Sequence, residues 1–146
     1  MNVFSKPNSS MTGDSKIYVD TSAFYALMDR SDRNHRPAST LWSPLLDNNV
    51  ALITSNYVVW ETVGLLQKRI GFDAAYLWYR DILGILDVCW VNADGHQRAY
   101  ELWLNLGRRQ LSLVDCVSFV TMRQHQIERV FCFKPHFTEY GFELLV

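Results

Sequence analysis

The chain has little of what marks several protein classes. Among its 146 residues there are only three cysteines, Cys89, Cys116 and Cys132, an odd number with none in a CxxC pair. That excludes a disulfide framework, argues against a zinc site, and leaves three reduced thiols set in apolar stretches. No apolar run approaches the roughly 20 residues needed to cross a bilayer, and no basic segment leads into an apolar one as in a signal peptide. A soluble, cytoplasmic protein without a membrane partner is expected. The net charge is −1, so overall basic character is missing too. Any contact with nucleic acid must rest on a local patch or a bound cation. Internal repeats, low-complexity tracts and glycine-rich phosphate loops are also lacking.

What is present is apolar material for one core. Hydrophobic residues make up 49% and charged residues 20%, a globular balance, and a chain of this length buries about two thirds of its unfolded surface. Residues 1–15, MNVFSKPNSSMTGDS, mix Ser, Asn, Gly and Pro without apolar periodicity. They read as a flexible N-terminal extension before a single domain at 16–146.

Strand and helix signals alternate along that domain. Ile17–Val19 is a short strand running into Asp20, Thr21 and Ser22, polar residues suited to capping a helix that starts at Ala23. A second helix begins near Asn34, with Pro37 and Pro44 better placed in early turns than in an interior. Val50–Ile53 is apolar throughout, as a doubly covered parallel strand should be. Helices are predicted from Tyr57 to about Arg69, ended by Gly71, and from Asp73 through Ile82. Leu86–Val91 reads as a third strand. Asp94 with Gln97, and Ser112 with Asp115, form capping boxes for the next two helices, the first ending at Gly107. Val130–Phe133 and Glu143–Val146 complete the strands. The pattern predicts an α/β fold, a three-layer α/β/α sandwich around a mainly parallel sheet of four to five strands.

In such a sheet, ligand sites form outside the carboxyl ends of the strands. Asp20 stands there directly after the first strand, and Asp115 lies in the first turn of a helix, where the dipole favours negative charge. Glu61 shares a helix face with Tyr57, Val58 and Leu65, so an acid interrupts an apolar stripe at a cost that a partner must offset. A hard divalent cation, Mg²⁺ or Mn²⁺, takes oxygen ligands, turns a bound water into a nucleophile and neutralises charge on a phosphodiester. Other readings stay open. Capping alone accounts for Asp20 or Asp115, and Glu61 also reads as a buried acid bonded to an arginine or a backbone amide.

Three segments in order, IYVDTSAFYALMDRSDRNH at 17–35, TSNYVVWETVGLLQKR at 54–69 and LSLVDCVSFVTMRQH at 111–125, the last followed by VFCFKPHFTEYGFELL, resemble the PIN-domain ribonucleases, and within them the VapC toxins of bacterial toxin–antitoxin pairs. The resemblance implies a Mg²⁺- or Mn²⁺-dependent endoribonuclease with an RNA substrate, a cognate antitoxin protein as inhibitor and a homodimeric state. The aromatic-rich helices 57–69 and 73–83 are the expected dimer interface. Asp20, Glu61 and Asp115 stand at three of the family's acidic positions, with Asp20 and Asp115 as metal ligands and Glu61 acting through water. Thr21 or Ser22 matches the family's small hydroxyl residue that orders the site.

One departure stands out. The family usually carries an Asp after the strand VFCF, and here the segment is Lys134-Pro135-His136-Phe137. The fourth carboxylate is missing, the negative charge of the site falls by two units, and the lysine is able to occupy the space of a second cation. His136 is assigned a structural place with Phe137 in the turn before the last strand, and His35, which follows the family's surface pattern in Asp32-Arg33-Asn34-His35, is assigned no chemistry. The tryptophans Trp42, Trp60, Trp78, Trp90 and Trp103 are read as core or interface, and Lys68, Arg69, Arg108, Arg109 and Lys134 as the basic candidates for phosphate contact. The competing function is a degenerate PIN-like module that binds RNA or a protein without cutting. A flavodoxin-like domain ranks last, because no glycine-rich loop follows the first strand.

Overall fold

The computed structural model of the protein describes residues 16–146, so the extension expected at 1–15 lies outside the described residues. Strand β1 (Lys16–Val19) leads into helices α1 (Thr21–Met28) and α2 (His35–Asp47). Strand β2 (Ala51–Ser55) leads into α3 (Asn56–Arg69) and α4 (Phe72–Leu77), which continues through a π-helical turn at Trp78–Ile82 and a 3-10 turn at Leu83–Ile85. After β3 (Asp87–Cys89) come α5 (Ala93–Leu106) and α6 (Leu113–Gln124), then β4 (Arg129–Phe131), the single turn α7 (His136–Glu139) and β5 (Glu143–Leu144).

Among the described residues the strands form one sheet in the order β3-β2-β1-β4-β5, and every pairing is parallel. Consecutive residues of a strand point to opposite faces. Ile17, Tyr18 and Val19 are all buried, so both faces of the sheet are covered and the expected three layers are present. Each large apolar side chain buried this completely stabilises the fold by about 1.5–3 kcal/mol. On one side Phe24 meets Trp78 edge to face at 5.0 Å, and elsewhere Phe119 packs against Phe137 at 4.9 Å and Phe142 at 5.7 Å. The Tyr18 hydroxyl, enclosed in the core, is satisfied by that of Ser118 at 2.9 Å.

The central strand β1 has β2 on one side and β4 on the other. The chain leaves toward different neighbours there, and a crevice opens at the carboxyl ends of such strands. Asp20 follows β1 at that point, and Lys134 follows β4 within the same neighbourhood.

Several predicted boundaries shift. Helix α1 begins at Thr21 rather than Ala23, because the Asp20 carboxylate itself caps it through the Ser22 N–H at 3.0 Å. Pro44 lies inside α2 rather than in a first turn. The carbonyl that proline leaves free is that of Thr40, an exposed residue open to solvent. The box proposed for Asp94 and Gln97 does not form. Asn92 caps α5 by accepting from the Gly95 N–H at 3.0 Å, and Asp94 instead pairs with Arg98 one turn on. Strand β3 spans Asp87–Cys89, shorter than the predicted Leu86–Val91, and β4 and β5 also end earlier than predicted. Helix α4 opens at Phe72, one residue before Asp73.

Candidate active site

Asp20 and Asp115 are both buried, with 0% and 2% of their surface exposed. Asp20 Oδ2 accepts from the Ser22 backbone N–H and, at 2.7 Å, from the Ser22 hydroxyl. That hydroxyl in turn accepts from the Phe133 N–H at 2.9 Å, tying the start of α1 to the exit of β4. Asp115 completes the predicted capping box, its Oδ2 accepting from the Ser112 N–H at 3.0 Å while the Ser112 hydroxyl accepts from the Asp115 N–H.

Lys134 stands between these two acids. Its Nζ donates to Asp115 Oδ1 at 2.9 Å and lies 3.9 Å from Asp20 Oδ2. Burial works against the ammonium, but the charges of Asp20 and Asp115 outweigh it and hold the lysine above its ordinary pKa. It is therefore charged at any working pH. Asp20 Oδ1 is left buried without a partner.

The placement of Glu61 corrects the sequence reading. The buried face of α3 is Val58, Thr62 and Leu66. Tyr57, Glu61 and Leu65 are half-buried beside it, so the acid sits on the rim of the core rather than in its stripe. Desolvation pushes its carboxyl above the usual glutamate range, with the Thr21 hydroxyl and Lys134 opposing the shift and Asp20 and Asp115 adding to it. All four side chains thus share one electrostatic neighbourhood. Thr21 contributes through Thr62, whose hydroxyl bonds to it at 3.2 Å and fastens α3 to α1.

Asp20 and Asp115 offer hard oxygen donors, and the unpartnered Asp20 Oδ1 is one that a cation would satisfy. The pair fits a single ion of this class once Lys134 withdraws. Among the described residues no three acidic, His or Cys side chains stand together as a ready metal site.

Beside Glu61 a groove runs between α3 and the residues after β3, lined by Tyr57, Trp60, Glu61, Tyr79 and Trp90 among others. Trp60 and Trp90 are 84% and 80% exposed, whereas Trp78 is enclosed in the core, so of these three only Trp78 takes the core place expected. Most of the basic candidates are used elsewhere or free in solvent. Arg69 lies over the Tyr25 ring, and Arg108 pairs with Glu139 and Tyr140. Among the five only Lys134 reaches the acids. His136 lies in α7 with its Nδ1 buried, next to the enclosed Phe137. The three cysteines are free thiols.

Sequence reasoning missed two connections. Ser22 was visible as a neighbour of Asp20, but nothing in the sequence showed that its hydroxyl receives Phe133. Lys134 was visible as a replaced acid, but not as the partner of Asp115.

The PIN domain model matches residues 17–143. The chain belongs to the PIN-domain family, on its VapC branch. A curated relative, the 23S rRNA-specific endonuclease VapC20 of Mycobacterium tuberculosis, is 35% identical over 127 residues, covering 86% of this chain and 95% of the relative. The crystal structure of that organism's VapC20, described as a sarcin-ricin loop cleaving toxin, superposes with a TM-score of 0.78 at 33% identity over 86% of this chain and 95% of its own. DNA-bound VapBC from Salmonella typhimurium shares the fold with a TM-score of 0.62 at 12% identity, over 88% of this chain and 96% of that one.

Proposed function

We propose that this PIN-domain protein is an endoribonuclease that cuts a phosphodiester bond in a structured RNA loop, and that it serves as the toxin of a toxin–antitoxin pair. The observation that carries the reading is the buried pair Asp20 and Asp115 at the carboxyl ends of the strands, joined by one lysine in a chain 35% identical to an rRNA endonuclease. Loop nucleotides are the RNA elements whose bases are open to such a site.

Asp20 and Asp115 would hold a Mg²⁺ or Mn²⁺ ion, with Glu61 reaching it through water; when bound, such an ion supplies an activated water and charge neutralisation. The protein's own groups do the rest. The two hydrogen bonds from Ser22 fix the Asp20 carboxylate, and the Ser112 N–H fixes Asp115. Glu61, raised above its ordinary range by burial, is a stronger base than a free glutamate and is suited to take a proton and return it to the leaving oxygen. Lys134 brings positive charge to a site where a phosphate must approach two acids.

The protein acts in the cytoplasm, where its RNA lies; among the described residues no helix is long and apolar enough to cross a membrane. A cognate antitoxin and a second copy of the chain are its protein partners. The exposed Trp60, Phe72, Tyr76 and Tyr79 of the α3 and α4 region offer apolar area for the homodimer. The degenerate-module reading draws its support from Lys134, whose ion pair with Asp115 fills the place of the missing acid.

The purified protein, free of antitoxin, is expected to cleave a loop-containing rRNA fragment in Mn²⁺ or Mg²⁺ and to stop in EDTA, followed by gel electrophoresis. Asp20→Asn and Asp115→Asn should each lower the rate at least about 100-fold. Equal cleavage by either variant would assign the activity to a contaminant. No cleavage by the parent, with activity gained in Lys134→Asp, would establish the degenerate module.

A further inference from the structure

Resting on the nuclease reading, we propose that Lys134 is a built-in counter-cation that holds a divalent ion's place between Asp20 and Asp115, so that ion binding is an exchange in which the lysine side chain must leave. Two carboxylates enclosed at 0% and 2% exposure need compensating positive charge. Among the described residues the ion pairs to these acids come from Lys134 alone, at 2.9 Å from Asp115 and 3.9 Å from Asp20.

The compensation is unequal. One ammonium carries a single charge for two anions, and it sits within bonding distance of Asp115 only. Asp20 is left with Oδ1 buried and unpartnered, a donor atom that the lysine does not reach and that a small doubly charged ion would satisfy. The lysine also has a way out. Its side chain is 31% exposed, and it is a flexible four-carbon stem ending in a strongly hydrated charge. An incoming ion must therefore break the Asp115 bond and displace one charge before it gains two carboxylates. Two consequences follow. The ion-free protein is held together at this site without metal, and its affinity for the ion is lower than the bare pair of acids would give.

The test is titration of the full chain with Mn²⁺, read by calorimetry and by the electron paramagnetic resonance of free Mn²⁺, with melting temperature followed in parallel. Lys134→Met, which keeps the stem and removes the charge, is expected to bind Mn²⁺ at least tenfold more tightly than the parent and to melt lower in EDTA, with Mn²⁺ restoring it. Lys134→Arg should bind as weakly as the parent. The parent's own melting temperature should stay flat through micromolar Mn²⁺, a measurement that stands even if Lys134→Met fails to fold. Parent binding as tight as that of Lys134→Met, or stabilisation of the parent by micromolar Mn²⁺, would overturn the proposal. So would a folded Lys134→Met that binds no ion. Because these readouts are independent of RNA, cleavage that depends on Asp20 alongside a negative titration removes the lysine's role and leaves the nuclease standing; tight binding by Lys134→Met with no cleavage by any protein does the reverse.

Discussion

Glu61 is held where its charge is costly. A carboxyl raised by burial is protonated in both folded and unfolded chains below its ordinary value of 4.5, and there it contributes no penalty. Above the raised folded pKa it is ionised in both states, and the folded state alone bears the desolvation. Stability that depends on the protonated form is thus lost as pH rises through the window that opens near 4.5. Glu61→Gln is expected to be more stable than the parent at pH 7 and indistinguishable at pH 4, by urea unfolding at both values. The reverse order at pH 7 would show that a partner compensates the charge in full. Glu61 also illustrates what a helical pattern reveals. Spacing identified an acid out of place among Tyr57, Val58 and Leu65, but the rotation of α3 about its axis is set by burial of Val58, Thr62 and Leu66. No periodicity within fourteen residues decides whether a position lies in the stripe or at its rim.

Capping sets the limits of α6 and the aim of one acid at once. Ser112 and Asp115 exchange hydrogen bonds at 3.0 Å, so the residue that starts the helix also fixes the Asp115 carboxylate facing Lys134. Ser112→Ala should lower stability by about 0.5–2 kcal/mol, measured by chemical denaturation, and should reduce cleavage no more than that loss of folded protein explains, because the Ser112 N–H that holds the Asp115 carboxylate is kept in alanine. This box was legible because both partners lie within one turn. The same motif misled at α5, where Asn92 stands two residues ahead of Asp94 and wins the cap. Close packing fixes that start: a Cβ at Gly95 would come within 2.9 Å of Val91 Cγ1. At the other end Gly107, with φ of 53°, closes α5 in the left-handed region as its position predicted.

Across the whole molecule, the alternation of strands and helices revealed the layers, while the order β3-β2-β1-β4-β5 was not legible because it depends on crossovers between distant segments. The pairing of Lys134 with Asp115 and of Phe133 with Ser22 belongs to that same long-range category. Burial in this core also governs the thiols. Desolvation pushes Cys132 up to about 12 and Cys89 and Cys116 to about 11, leaving almost no thiolate at neutral pH. Native protein at pH 7.5 should react slowly with Ellman's reagent, and denaturant should release all three thiols of the chain. Fast labelling of one thiol in the native state would reveal local opening around it.

The hydrogen bond from Phe133 to Ser22 closes a span of 111 residues, and β1 gains its second neighbour only when Arg129–Phe131 is available to pair. On the ribosome, the amino-terminal part of the sheet must wait for nearly the whole domain to be synthesised before the crevice at its centre can close. Asp20 emerges early and remains without Lys134 and Asp115 for most of that time. If these residues are the cutting centre proposed above, an enzyme that attacks RNA is made beside abundant RNA in an inactive form, its activity timed by translation itself.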